Sequence, residues 1–323
     1  MKTIRWGIIG CGDVTEIKSG PAYQNTKGFE LLYVMRRDKN KLVDYAKRHK
    51  VSKYTTSASE LINDPEIDAI YIATPPDTHL EYGLQVATVG KICCVEKPMT
   101  TNYPDSLKLQ KAFEEKNLPL FVAYYRRSLP RFNKVKEWIE TSKIGDIRHI
   151  RWDLMRPPHK QDTSEKYIWR TDAKIAPGGY FDDLACHGLD LFNYLLGDIK
   201  QVSGFSTSQN NYYSAKDAMT ASWIHPNNIT GSGNWNFNCD RYEDWVEIYG
   251  SKGKIEFSIF QEKPIVLDSN SKKEELFIEN PKHIQQYHVE NMLKHISDQT
   301  FNHPSTGKTG MHANWLMDQI LKN

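Results

Sequence analysis

The stretch Thr3-Ile4-Arg5-Trp6-Gly7-Ile8-Ile9-Gly10-Cys11-Gly12-Asp13-Val14-Thr15 decides the fold. A short run rich in β-branched residues leads straight into two glycines and an acidic residue. That is the signature of a buried strand turning tightly into a helix. Gly10 suits the tight turn, and Gly12 lets backbone come close to a bound pyrophosphate. The third position of the G-x-G-x-x-G/A pattern holds Thr15, which loosens the packing of helix on strand. Gly10, Cys11, Gly12, Asp13 and Val14 form the expected dinucleotide loop, because free amides at a helix start attract a diphosphate. The alternative is a glycine turn in an α/β protein that binds no nucleotide.

Working outward, further apolar runs lie at 30–35, 69–73, 92–95 and 119–123. Helical spacing fills 77–89 and 105–116. Strands alternating with helices predict a doubly wound parallel sheet, a Rossmann domain, over residues 1–123. Beyond it the pattern changes. Helices are expected at 131–141 and 180–196, and strands at 147–155, 202–207, 218–225, 231–237, 245–249 and 254–260. Residues 250–253 read as a hairpin turn. Residues 124–323 are thus expected to form an α+β domain with a large, mostly antiparallel, open-faced sheet. Its closing helices, at 283–299 and 308–322, either stay with it or pack back on the first domain.

Composition excludes several classes. With 323 residues, two domains are expected. The 42 basic and 40 acidic side chains leave a net charge of +2, which argues against nucleic acid or a membrane surface as partner. The five cysteines lack the C-x-x-C spacing of a zinc site, and no signal segment opens the chain, so a cytoplasmic location is expected.

The second strand runs into Arg36-Arg37-Asp38. An acidic residue there would favour NAD, whereas arginine suits a 2′-phosphate, so NADP is favoured over NAD. The fifth strand ends in Glu96-Lys97-Pro98, where a lysine can reach a bound ligand. In Gly178-Gly179-Tyr180-Phe181-Asp182-Asp183-Leu184-Ala185-Cys186-His187-Gly188-Leu189-Asp190, a helix puts Asp183, His187 and Asp190 on one face. A carboxylate one turn from an imidazole suits a proton shuttle. The bland readings are a helix cap for Asp182 or Asp183 and a buried structural histidine for His187. No third ligand has convincing spacing, so no metal is expected. Arg126 and Trp169 are the candidate substrate contacts. Arg170, beside Trp169 in the long polar loop 156–177, reads equally as a sugar contact and as a surface charge.

With Gly10-x-Gly12, Ala73-Thr74-Pro75-Pro76 with His79, Glu96-Lys97-Pro98, and Gly178-Gly179 with Asp183-x-x-x-His187-x-x-Asp190, the chain resembles the glucose–fructose oxidoreductase, inositol dehydrogenase and rhizopine catabolism (Gfo/Idh/MocA) family over nearly its whole length. The resemblance implies NAD(P)-dependent oxidation or reduction of sugars, cyclic polyols and related hydroxy compounds. It implies Lys97 near nicotinamide and substrate, His187 as general acid/base and Asp183 as the carboxylate beside it. It also implies Thr74, Pro75 and His79 lining the nicotinamide pocket, Glu96 close to the cofactor, and a cis Lys97-Pro98 bond. A homodimer or homotetramer is expected from the same resemblance. Two alternatives remain: a glycosidase that retains NAD, and a non-catalytic sensor on the same fold.

Overall fold

The structure is a computed structural model and describes residues 3–164, 167–269, 272–298 and 300–322. The chain divides into two units, Met1–Ser128 with Pro281–Met311, and Leu129–Asn280 with His312–Asn323.

The described residues of the first unit form one six-stranded sheet. Its strands are β1 (Ile4–Ile9), β2 (Phe29–Met35), β3 (Lys53–Thr55), β4 (Ala69–Ile72), β5 (Ile92–Val95) and β6 (Leu120–Val122). They run parallel in the order β3-β2-β1-β4-β5-β6. The order reverses between β1 and β4, and the crevice at such a switch point is where ligands bind. Every residue of β4 is buried, as a strand covered on both faces requires. Polar side chains start the helices. Asp38 Oδ1 accepts from the Lys41 amide (3.1 Å) to open Lys39–His49, and Asn102 Oδ1 accepts from the Asp105 amide (2.9 Å) to open Tyr103–Glu114.

The tail supplies a helix at Gln286–Ser297, whose Val289 and Met292 join Trp6, Ile8, Tyr23 and Leu31 in one core. This amphipathic helix gains its stability from that apolar face rather than from propensity. The strand β3 and the helices Lys39–His49 and Ala58–Asn63 are elements that the apolar runs of the sequence do not announce.

The second unit holds β7 (Ile147–Met155), β8 (Gln201–Thr207), β9 (Ala218–Ile224), β10 (Thr230–Asn236), β11 (Glu243–Gly250), β12 (Gly253–Phe257), β13 (Ile265–Ser269) and β14 (Lys272–Leu276). Their order is β14-β13-β12-β11-β7-β10-β9-β8. All neighbours pair antiparallel except β7 with β10, so the sheet is mostly antiparallel. The hairpin between β11 and β12 forms at 250–253 as expected. Period-2 alternation sorts the two faces. Trp152, Leu154, Trp223, Trp235, Val246 and Ile248 are buried, while Arg151, Asp153, Asn234 and Glu247 lie on the opposite face.

The helix Tyr180–Leu196 packs on the apolar face. Phe181 meets Trp235 edge-on at 5.1 Å and Phe192 meets Trp152 at 5.6 Å. Gly188 permits this approach, since a Cβ there would come within 2.3 Å of the Trp152 ring. Among the described residues, no helix is long and apolar enough to cross a membrane.

Candidate active site

In the first unit the predicted cofactor residues gather at the carboxyl ends of β1, β2, β4 and β5. The Gly10 and Cys11 amides both donate to the Met35 carbonyl, at 2.9 and 3.1 Å, which seats the loop on the end of β2. Gly10 has φ +93°, and a Cβ there would lie 2.7 Å from Thr74 Cγ2 and 2.9 Å from the Ala73 carbonyl oxygen. Only glycine satisfies both the dihedral and the contact. Gly12 differs. Its backbone is extended, and the nearest atom to a Cβ there would be the Gly10 carbonyl oxygen at 3.9 Å. Nothing in the protein's own packing demands a glycine at 12, so the open space above it fits the backbone approach of a pyrophosphate.

Thr15 Oγ1 donates to the Gly12 carbonyl at 2.8 Å, so the hydroxyl at the third position braces the loop from below. Asp13 is exposed and Val14 half-buried at the start of the short helix Asp13–Ile17. Cys11 is wholly buried, and burial pushes its thiol up to about 11, which leaves it inert.

Arg36 Nη1 donates to the Cys11 carbonyl at 2.9 Å, tying the end of β2 to the glycine loop. Arg37 is exposed beside it. Asp38, the acid that could have reached a ribose, is occupied as a helix cap.

After β4, Thr78 Oγ1 donates to Thr74 Oγ1 at 2.7 Å, and Pro75 opens a single 3-10 turn. His79 is fully buried, and burial holds its imidazole below the ordinary value. Its ring nitrogens lie 2.8 Å from the Thr74 carbonyl and 3.1 Å from the Pro98 carbonyl. The side chain therefore clamps the loop after β4 to the loop after β5.

That second loop holds Lys97, and the Lys97-Pro98 bond is cis. Glu96 is 6% exposed. Its carboxylate accepts from Tyr71 Oη (2.6 Å), Gln285 Nε2 (2.8 Å) and the Lys97 amide (3.1 Å). Glu96 is thus an internal anchor for the residue that follows it. Arg126 is buried in the 3-10 turn Tyr125–Ser128, its guanidinium 4.9 Å from the Tyr125 ring centroid.

In the second unit, Asp183 and His187 stand one turn apart on Tyr180–Leu196. His187 is 5% exposed, with the Phe260 ring 6.0 Å away, and Asp190 is wholly buried. The helix is capped by Gly179 backbone at φ +61°, not by Asp182 or Asp183. Asp182 Oδ2 instead accepts from the Gly178 amide at 2.8 Å. Burial pushes the Asp182 carboxyl up to about 7, with Asp318 and Asp183 adding to the shift. Asp183 Oδ2 accepts from Arg170 Nε at 2.7 Å. Trp169 is half-buried, with the Arg170 guanidinium 4.4 Å from its ring centroid. No cluster of three or more potential metal ligands occurs among the described residues.

Comparison with known proteins decides the family. Residues 4–124 match the oxidoreductase family with an NAD-binding Rossmann fold, and residues 132–256 match the GFO/IDH/MocA C-terminal domain. The chain is 37% identical over 309 residues to Oxidoreductase P35 of Formosa agariphila, covering 95% of each chain.

The chain belongs to the Gfo/Idh/MocA family.

This makes it an NAD(P)-dependent oxidoreductase. The myo-inositol 2-dehydrogenase of Thermotoga maritima is 27% identical over 278 residues, 82% of this chain and 78% of that one. The solved levoglucosan dehydrogenase complex with NADH shares the fold, with a TM-score of 0.86, 21% identity, and coverage of 99% and 96%. Within this Gfo/Idh/MocA chain, two partners of site residues leave no local signal in the sequence. Gln285 bonds Glu96 across 189 positions, a separation no local pattern can signal. Arg170 Nε bonds Asp183 Oδ2 across 13 positions, a contact that neither the sugar-contact nor the surface-charge reading of Arg170 contains.

Proposed function

We propose that this enzyme moves a hydride between NADP and a carbinol or carbonyl carbon of a sugar, a cyclic polyol or a related hydroxy compound. The observation that carries the reading is the Asp183–His187 arrangement, a carboxylate and an imidazole one helical turn apart. When bound, the nicotinamide cofactor supplies the hydride acceptor or donor. The chain supplies the rest. Gly10 to Val14 would hold the diphosphate, and Arg36 and Arg37, at the end of β2, would lie toward the 2′-phosphate. In oxidation, His187 accepts the substrate hydroxyl proton at an imidazole nitrogen, and Asp183 favours the imidazolium that results. Lys97 donates to the same substrate oxygen and offsets its developing negative charge. Reduction reverses these steps. Arg126 and Trp169 line the substrate, the indole offering an apolar face to the ring C–H groups.

The sugar and polyol class is supported by the relatives' names, levoglucosan and myo-inositol dehydrogenases. NADP over NAD is supported by two arginines at the end of β2 and by the engagement of Asp38 as a cap. Five free thiols fit the reducing cytoplasm. A homodimer or homotetramer rests on the family resemblance alone, and light scattering of the purified chain would check it.

The test is titration with NADPH and NADH by nicotinamide fluorescence, then a turnover screen. Levoglucosan, myo-inositol, scyllo-inositol and common aldoses would be offered with each oxidised cofactor. Tight NADPH binding and oxidation of one of these compounds support the reading. Binding with no redox turnover of any sugar or polyol in either direction overturns it.

A further inference from the structure

We infer that Arg170 is a positioning residue that fixes the Asp183 carboxylate and acts through it on His187. This rests on the reading of Asp183 and His187 as the proton relay.

Arg170 lies in the 3-10 turn Trp169–Thr171, and that turn is fastened at several points. The Thr171 carbonyl accepts from the Ala215 amide and from Ser214 Oγ, each at 3.3 Å. Thr171 Oγ1 donates to the Ile168 carbonyl at 2.9 Å. A Cβ on Gly179 would sit 3.5 Å from the Arg170 carbonyl oxygen and 2.9 Å from that of Lys216. The turn is therefore seated against the start of Tyr180–Leu196, and Arg170 is not a loose surface charge.

From there the guanidinium does two things at once. Nε donates to Asp183 Oδ2 at 2.7 Å, and the cation lies 4.4 Å from the centroid of the Trp169 ring. One planar group thus ties an aromatic ring to the carboxylate that stands one turn before His187. Arginine suits this because its plane can stack on a ring while its edge donates.

The neighbouring carboxylates show what the contact changes. Asp182 is buried, accepts only a backbone amide among the described contacts, and faces Asp318 from the helix Gly307–Leu321. Asp183, adjacent to it, has the cation. The Arg170 bond holds the Asp183 carboxylate in one orientation, whereas Asp182 is pushed toward its protonated form by burial first and by the neighbouring carboxylates second. Among the described residues, the charged groups set around the start of this helix are Arg170 from the turn, Asp182 beside Asp183, Asp318 from the C-terminal helix, and Asp162 and Arg156 against Tyr180. Asp190 lies further along the same helix, and Asp244 on β11 is held by Trp152 and Ser258.

The experiment is a pH titration of His187 in the full-length enzyme carrying 15N-labelled histidine. The His187 resonance is assigned by its absence from His187→Gln. Wild type, Arg170→Met, Arg170→Lys, Asp183→Asn and the double variant Asp183→Asn/Arg170→Met are compared. Retained NADPH binding and a cooperative thermal transition report folding, and Arg170→Gln replaces Arg170→Met if the latter lacks them. The midpoint is expected to move by about half a pH unit or more in Arg170→Met, with Arg170→Lys recovering at least half of that shift. In the Asp183→Asn background, Arg170→Met should add nothing. An unmoved midpoint in Arg170→Met, or the same shift with and without the Asp183 carboxylate, overturns the inference. A wild-type enzyme that turns over no sugar or polyol defeats the proposed function but leaves this titration readable.

Discussion

Gly10 and Thr74 touch where β1 and β4 end, so closely that a Cβ on Gly10 would fall 2.7 Å from Thr74 Cγ2. The contact joins the loop expected to hold the diphosphate to the loop expected to line the nicotinamide. Gly10→Ala would add both a clash and an unfavourable φ of +93°. A stability loss of about 1–3 kcal/mol is expected by urea denaturation, with NADPH binding at least about tenfold weaker. Gly12→Ala meets no such clash, so it should keep wild-type stability while losing cofactor affinity. The pair separates a fold glycine from a ligand glycine, and equal stability losses in both would contradict the assignment.

Arg36 and Arg37 should behave differently. Arg36 bonds the Cys11 carbonyl, so Arg36→Ala disturbs the glycine loop and weakens both cofactors. Arg37 is exposed and makes no hydrogen bond to the loop among the described residues. Arg37→Ala should weaken NADPH by about tenfold, one lost charge-assisted contact, and leave NADH nearly unchanged. Fluorescence titrations with both cofactors would show it. An equal effect on both would remove Arg37 from the 2′-phosphate site.

Lys97→Ala and His187→Ala should each lower kcat by about 10²–10⁴, the range for loss of a general acid/base or an oxyanion donor. NADPH affinity should stay within about threefold, because neither side chain is assigned to the diphosphate or the 2′-phosphate. Steady-state kinetics on the substrate found by screening, beside cofactor titrations, would measure both quantities.

Asp182 predicts a pH dependence of stability. Its folded carboxyl is pushed up to about 7 by burial, while an unfolded one titrates near 3.9. Between these values the folded state binds more protons, so stability falls as pH rises from about 4 to about 7. Asp182→Asn keeps an acceptor for the Gly178 amide and removes the titration. Its thermal midpoint should therefore decline less than that of wild type between these pH values. Parallel curves would show that Asp182 does not carry the dependence.

Much of the candidate site was legible as a pattern because its residues sit at fixed local spacings. Gly10 and Gly12 follow a strand, Lys97 ends one, and Asp183 and His187 are one helical turn apart. The roles of His79, Glu96 and Arg170 were less readable. His79 bonds the Pro98 carbonyl 19 positions away, and Arg170 reaches Asp183 across 13 positions. Such bonds depend on where the chain returns, and that leaves no periodic trace in the residues between.

The sequence by itself determined the parallel sheet, the glycine loop, the mostly antiparallel second sheet and the helix carrying Asp183 and His187. Each follows from hydrophobic period and glycine placement within one short stretch, where local sterics and burial act together. Only the tertiary structure decided that Gln286–Ser297 completes the core around Trp6, that β7 pairs parallel with β10, and that Arg170 stands against Asp183. These are meetings between segments far apart in the chain. An apolar helix face fits many cores and a guanidinium fits many carboxylates, so the partner is fixed by packing of the whole unit and not by the residues alone.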